Sequence, residues 1–351
     1  MRVPTSSVVT HGALQRLPYV YTASEIQEMR FWRNSPRESN KIVDPVKRAK
    51  NHTSRLINAQ LNKLSSITRQ ASLQFPALKK MHPFEREVVL LTLGSGAYEK
   101  HVQQLRKVYA SLHNVGKKHE KECQEQRTKQ EAIDCGLRCI EELREVVEEN
   151  GDVLSDVASM AKTLRGLPSV DLEKPIFAFV GAPNVGKSSL VRALSTASPE
   201  VANYPFTTRG ITMGHLFVDG ISYQIADTPG LIYRPDDRRN AIEKLALAMI
   251  EKTQAAIGFV FDPTGLSGTS IRDQLELREE LRARVSAVRD DHTWLDIISK
   301  TDVSTPGIPQ LTNEFPAAMS VSTETNQGLV ELSAVIRGIL VDANTELRSS
   351  E

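Results

Sequence analysis

From residue 45 to about residue 164, apolar residues recur every three or four positions, as in Leu56, Leu61, Leu64 and Ile67, or Leu105, Val108, Leu112 and Val115. Apart from Pro76, Pro83 and a few glycines, breakers are rare there. That period places one apolar stripe on each helix and predicts a helical domain. The charged run 117–149 keeps the period through Ile133, Leu137, Ile140, Leu143 and Val147, and reads as one long amphipathic helix packed on its neighbours. Its repeat is too short for a free coiled coil. After Gly166-Leu167-Pro168-Ser169-Val170-Asp171 the pattern changes to short apolar, β-branched runs at 176–180, 211–218, 223–226, 256–261, 294–298 and 317–321. Helical patterns alternate with them: one after the first run, one around 242–252, then 271–288 and 329–340. Such alternation predicts a doubly wound α/β domain, and a hairpin turn at Asp219-Gly220 makes its sheet mixed but mostly parallel.

The predicted architecture is therefore α plus α/β: an N-terminal helical bundle followed by a nucleotide-binding domain. Residues 1–43 read as an extended basic arm with room for a short helix, since they contain Pro4, Pro18 and Pro36 and no acidic residue before Glu25. The bundle is assigned to 44–168, the α/β domain to 169–343 and a short tail to 344–351. The acid-poor start, with Arg2 and Arg16, also faintly resembles an organellar transit segment, without a convincing amphipathic helix.

Composition adds one decisive feature. The net charge is only +1, but residues 1–120 hold 20 Lys and Arg against 8 Asp and Glu, whereas the remainder holds 24 against 35. A basic end on an otherwise acidic chain suits a polyanion such as RNA, although aromatic interleaving is limited to Tyr19, Tyr21, Phe31 and Trp32. No apolar run approaches the ~18 residues that span a bilayer, so a membrane partner is not expected. Cys123, Cys135 and Cys139 lack Cys-x-x-Cys spacing and read as reduced thiols; Cys135 and Cys139, one turn apart, make a poor zinc site by themselves.

The chemistry is concentrated after the first strand. Gly181-Ala182-Pro183-Asn184-Val185-Gly186-Lys187-Ser188 satisfies G-x-x-x-x-G-K-[ST], a loop whose successive backbone N–H groups face phosphate. Asn184, Val185, Gly186, Lys187, Ser188 and Ser189 are the candidate contacts, with Lys187 on the outer phosphates and Ser188 on Mg²⁺. About 40 residues on, a strand ends in Asp227-Thr228-Pro229-Gly230, which resembles the Asp-x-x-Gly element of GTPases. Asp227 would reach Mg²⁺ through water and the Gly230 amide would sense the γ-phosphate. Between them, Asn203 to Gly210 presents Thr207 and Thr208 ahead of a strand, either a turn pair or the segment that completes the Mg²⁺ shell. Ser299-Lys300-Thr301-Asp302 resembles the Asn/Thr-Lys-x-Asp element of GTPases. The resemblance implies that the Asp302 carboxylate accepts from the two donors on the guanine edge, which adenine lacks, and that the Lys300 stem covers the base. Ser299 departs from the usual Asn. Ser322 and Thr323, ahead of Glu324, have the position of the last guanine-contacting loop.

The resemblance narrows further. Val201 to Thr208 is similar to switch I of the Obg-related GTPases. Leu17-Pro18, Phe75-Pro76-Ala77-Leu78 with His82-Pro83-Phe84, Leu167-Pro168-Ser169-Val170-Asp171 and Arg239-Asn240-Ala241-Ile242-Glu243 resemble the nucleolar GTP-binding protein 1 family, in order and over most of the chain. The resemblance implies a helical bundle on a Ras-like GTPase domain, GTP or GDP with Mg²⁺ as ligands, and a role in assembly of the large ribosomal subunit. It implies as partners large-subunit rRNA, ribosomal proteins of a pre-ribosomal particle and other assembly factors, with the chain bound as a monomer. By spacing against that family Thr208, rather than Thr207, is the Mg²⁺ ligand, so Lys187, Thr208 and Gly230 form the catalytic set. Asn184 resembles the asparagine that holds K⁺ in related GTPases. Leu231 follows Gly230 where a glutamine would orient water, which implies slow intrinsic turnover stimulated by K⁺ and by the ribosome, or a catalytically weak rRNA-binding placeholder. Arg209, Arg234 and Arg238 read as solvated or RNA-facing charges rather than catalytic fingers. Nuclear members carry a long basic tail after the GTPase domain. A short form suits an organelle, with the mitochondrion favoured over the plastid.

Overall fold

A computed structural model describes residues 12–39, 41–207, 210–289 and 292–349, with side chains as far as 345. The chain forms two compact units, one of residues 13–78 and 93–166, the other of residues 79–92 together with everything from 167 on.

The first unit holds α1 (Ala23–Glu28), α2 (Pro45–Gln74), α4 (Ala97–Glu125), α5 (Lys129–Glu149) and α6 (Gly151–Arg165), whereas α3 (Pro83–Leu93) belongs to the second. Helix α2 starts where the sequence supplies both an N-cap and a proline: Asp44 accepts from the N–H groups of Val46 and Lys47 at 2.8 and 2.9 Å, and Pro45 follows it. Helices α2 and α4 pack on one another, and Ile57, Leu61 and Leu64 of the first and Leu105, Val108 and Leu112 of the second are buried. The segment read as an extended arm is packed over residues 13–32, whereas most described residues from 33 to 44 are exposed. Leu14, Leu17, Val20 and Ile26 are buried, and the indole N–H of Trp32 donates to the Ile26 carbonyl at 2.7 Å.

The run 117–149 is two helices rather than one. Helix α4 ends at Glu125 and α5 begins after Thr128, whose side chain accepts from the Glu131 N–H while the Glu131 carboxylate accepts from the Thr128 N–H. That reciprocal pair is the Thr-x-x-Glu box that opens helices. The buried seam of α5 also differs from the expected one: it runs through Ala132, Cys135, Gly136, Cys139, Leu143 and Val147, and Leu137 is 59% exposed. A Cβ on Gly136 would lie 2.9 Å from Thr53 Cγ2, so α2 and α5 approach too closely for a large residue at that contact.

The second unit is built on a seven-stranded sheet: β1 (Ile176–Val180), β2 (Glu200–Ala202), β3 (Ile211–Val218), β4 (Ile221–Asp227), β5 (Ala256–Phe261), β6 (Trp294–Ile298) and β7 (Met319–Ser320). Their order is β2-β3-β4-β1-β5-β6-β7, with β2, β3 and β4 joined antiparallel and the rest parallel. The hairpin between β3 and β4 turns at Asp219 and Gly220, both at positive φ (51° and 79°) as a tight turn of this hand demands. Helices α7 (Lys187–Leu194), α8 (Ala241–Lys252), α9 (Ile271–Val288), α10 (Gly307–Glu314) and α11 (Leu329–Ser349) complete the unit. The α plus α/β fold with a mixed, mostly parallel sheet is the one expected. The hydrophobic pattern does not announce α10, because Pro306 and Pro309 read as breakers; both lie at its start, where no N–H partner is needed. Nor does it announce β2, three residues long, or the extension of α11 past residue 340.

Candidate functional site

Register assembles the site at the carboxyl ends of the parallel strands, where open α/β sheets bind ligands. Phe179 of β1 pairs with Asp227 of β4, so the phosphate loop and the acidic end of β4 emerge side by side. Phe261 of β5 pairs with Ile298 of β6, and Ile298 with Ser320 of β7, which brings Asp262, Ser299 and Ser322 to the same edge.

A cavity of about 690 Å³ opens there, lined by Asn184, Gly186, Lys187, Ser188, Ser189, Asp227, Gly230 and Lys300 among others. Val185 is buried beneath the loop. Gly186 has φ +109°, a conformation that L side chains rarely adopt, and it sits directly before α7, so the loop delivers its N–H groups to a helix N-terminus. Asn184 also has positive φ, 59°, which asparagine tolerates better than most residues, and its side chain is exposed. The ammonium of Lys187 donates to the carbonyls of Gly181 and Ala182 at 3.1 and 2.6 Å. Burial lowers its pKa to about 8, a penalty that a phosphate beside it relieves.

Ser188 donates to Asp227 Oδ2 at 2.5 Å. Burial raises the Asp227 pKa, against the opposing hydrogen bond from Ser188. The lining residues offer oxygen donors and no thiol or imidazole, the donor set of a hard cation, so Ser188 and Asp227 fit Mg²⁺. When bound, the ion would neutralise charge on the phosphates. Thr208 and Arg209 lie outside the described residues. The neighbouring Thr207 is committed elsewhere, its hydroxyl and its N–H both donating to the Tyr204 carbonyl at 2.9 Å. Gly230 lies against the phosphate loop: a Cβ there would meet Pro183 Cα and N at 2.7 Å. The next residue, Leu231, is fully buried, donates its N–H to the Gly181 carbonyl at 3.1 Å and is not among the residues that line the cavity. Beyond it Arg234 is paired with Glu243 rather than solvated, whereas Arg238 is exposed.

On the base side, Ser299 takes up the tethering expected of an asparagine. Its hydroxyl lies 2.6 Å from the Val185 carbonyl and 2.8 Å from that of Phe261, joining β5 and β6 to the phosphate loop. Lys300 donates to the Asn184 carbonyl at 2.9 Å and to Asp262 Oδ2 at 2.8 Å. Ser322 donates to Asp302 Oδ1 at 2.6 Å and fixes that carboxylate, while Thr323 follows it, half-buried. Asp262 is the functional residue missing from the sequence reading. It is fully buried and accepts from Lys300, from Thr264 and from the Ser267 N–H. Burial works to raise its pKa, but those hydrogen bonds outweigh it and hold the carboxyl below the usual range. The signal was available: an acid directly after the apolar run of β5, at the end of the sheet where ligands bind.

Comparison with known proteins agrees with this geometry. A model of the NOG1 N-terminal helical domain matches residues 14–171, and one of the 50S ribosome-binding GTPase matches residues 176–295. A nucleolar GTP-binding protein 1 of Encephalitozoon cuniculi is 26% identical over 229 residues, 65% of this chain and 42% of that protein. An uncharacterized protein of Methanocaldococcus jannaschii is 28% identical over 207 residues, 59% of this chain and 58% of that one. The crystal structure of a chain from Plasmodium falciparum, described as a nucleolar GTP-binding protein 1, is 27% identical, covers 53% of this chain and all of its own, and gives a TM-score of 0.36. The chain spans 31% to 58% of the length of such curated relatives. With the helical-domain and GTPase models matched in succession along most of its length, the chain belongs to the nucleolar GTP-binding protein 1 family.

Proposed function

We propose that the protein binds and slowly hydrolyses GTP with Mg²⁺ and acts as an assembly factor of the large ribosomal subunit, gripping rRNA through its basic N-terminal third. The observation that carries the nucleotide reading is the convergence of Lys187, Ser188, Asp227 and Gly230 on one cavity whose far side is bounded by Lys300. The RNA reading rests on charge and on the family. Helix α2 alone carries six Lys and Arg and no acidic residue in 30 positions, and Lys47, Arg55, Lys63 and Arg69 are exposed on it. GTP would hold Asn203 to Gly210 and the segment after Asp227 in the form that binds the particle, and hydrolysis would release it. With Leu231 buried, the position after Gly230 offers no side chain to orient water. Asn184 is the residue through which K⁺ would supply the missing charge. Turnover is expected to rise at least about tenfold when K⁺ replaces Na⁺; equal rates would remove K⁺ from the mechanism.

The same burial of Leu231 favours a second reading, an rRNA-binding placeholder that holds GTP and scarcely turns it over. Turnover of the purified protein with and without ribosomal particles separates the two. The partners are tested by ultraviolet crosslinking of the tagged protein in cells and sequencing of the bound RNA. Large-subunit rRNA is the expected product, and its absence would overturn the assembly role. The names carried by the relatives favour a nucleolar particle over the organellar one expected from the sequence, and the origin of the rRNA decides between them.

A further inference from the structure

Nucleotide binding leaves unused a polar cluster inside the helical unit. His119 of α4 is 3% exposed, and its ring lies among groups of unlike chemistry. Nε2 is 2.6 Å from Glu142 Oε2 of α5, and Lys118 also reaches that carboxylate at 3.1 Å. On the other side of the ring, Nδ1 is 3.3 Å from Glu122 Oε2 and 3.8 Å from the sulfur of Cys135. The nitrogen, the sulfur and the carboxylate oxygen all lie within 4.8 Å of one another, the one such group among the described residues. His119 and Cys135 are buried, but the Glu122 side chain is 38% exposed, so the cluster has one face toward solvent.

We infer that His119, Glu122 and Cys135 form a binding site for a divalent transition-metal ion of the zinc class, which joins α4 to α5. Tetrahedral zinc, with bonds of about 2.0–2.1 Å to nitrogen and oxygen and about 2.3 Å to sulfur, sets its donors roughly 3.3–3.6 Å apart. The nitrogen–oxygen separation already has that value, and the nitrogen–sulfur separation is slightly longer. Glu142 stands where an outer carboxylate fixes a ligating histidine: by accepting from Nε2–H, it turns the Nδ1 lone pair toward the other two donors. Glu122, on the solvent side, leaves a fourth position for water. An imidazolium clamped between two carboxylates would also explain Glu122 and Glu142. It leaves the sulfur with hydrogen-bond contacts to the His119 carbonyl, at 3.6 Å, and to the Arg138 side chain, where the metal gives it a bond. The sequence separates these residues by a helix break, which is why Cys135 read as a reduced thiol.

The test uses the full chain, untagged, stripped of metal by a chelator and held with saturating Mg²⁺ and GDP. Titration with Co²⁺ is expected to give one bound ion with a thiolate-to-cobalt charge-transfer band, displaced by Zn²⁺. Cobalt at the nucleotide site cannot produce that band, since no sulfur lines that cavity. Removing the His119 ring can unfold the unit, so the primary variant is Cys135→Ser. It should abolish the band at unchanged circular dichroism and GDP affinity, whereas Cys123→Ser should keep it. Glu142→Gln is expected to weaken Zn²⁺ binding about 10- to 100-fold. A folded wild-type protein without the band, or a band that survives in Cys135→Ser, overturns the site and leaves the GTPase reading untouched.

Discussion

Ser299 reaches two carbonyls with one hydroxyl, and a hydroxyl has only one proton to give. Its position between Val185 and Phe261 nevertheless fills the gap between the phosphate loop and β5. Ser299→Ala leaves the buried Val185 carbonyl without its polar neighbour, which costs about 1–3 kcal/mol. GDP affinity, followed with a fluorescent analogue, should fall roughly tenfold. Asp302 is tested by changing the ligand instead. At C2 guanine presents an amine donor where xanthine presents a carbonyl, and both keep the N1–H donor, so Asp302→Asn should reverse the preference from GDP to xanthosine diphosphate in a competition assay. Asp262 permits a prediction in pH. Because its folded pKa is depressed, its stabilisation is complete above the ordinary carboxylate value near ~4 and is lost as pH falls through the lower folded value. The gap in melting temperature between wild type and Asp262→Asn should therefore stay constant from about pH 8 to pH 5 and close only in stronger acid. Residues whose role is fixed by a local motif, such as Lys187 and Asp227, were legible in the sequence. Asp262 was only half legible: its place directly after the apolar run of β5 could be read, but its pairing with Lys300 depends on the register of β5 with β6.

At the scale of elements, the break between α4 and α5 depends on the Thr128 cap. Thr128→Ala should cost about 1 kcal/mol of the helical unit's stability, measured by thermal unfolding, and leave nucleotide affinity unchanged. Six of the seven strands and all the long helices of the second unit could be placed from periodicity, since their apolar runs are bounded by polar turns. What escaped has a physical reason in each case. β2 is three residues long and mostly exposed, so it carries no alternation to read. The Thr128–Glu131 box was present in the sequence but masked by a charged run with continuous helical period. The seam of α5 was misread because close approach to α2 selects Ala132 and Gly136 over the larger Ile133 and Leu137. Size, rather than hydrophobicity, decides which side of that helix is buried.

For the whole molecule the asymmetry of charge matters most. If α2 contacts phosphate, Lys63→Glu combined with Arg69→Glu should weaken binding to large-subunit rRNA uniformly across sequences. The slope of log affinity against log salt should become less steep by roughly 1 for each contact removed. GDP binding should not change, since neither residue belongs to the unit that holds the sheet. Within that second unit, one side chain joins two halves of the proposed ligand site: the Lys300 stem is expected to cover the base, and its ammonium rests on the backbone of the phosphate loop at Asn184 and on Asp262. Base and phosphates are consequently not released independently. An exchange partner that displaced the 300–302 loop would slacken the phosphate loop with the same movement, so the nucleotide would leave in one concerted step with no half-bound intermediate.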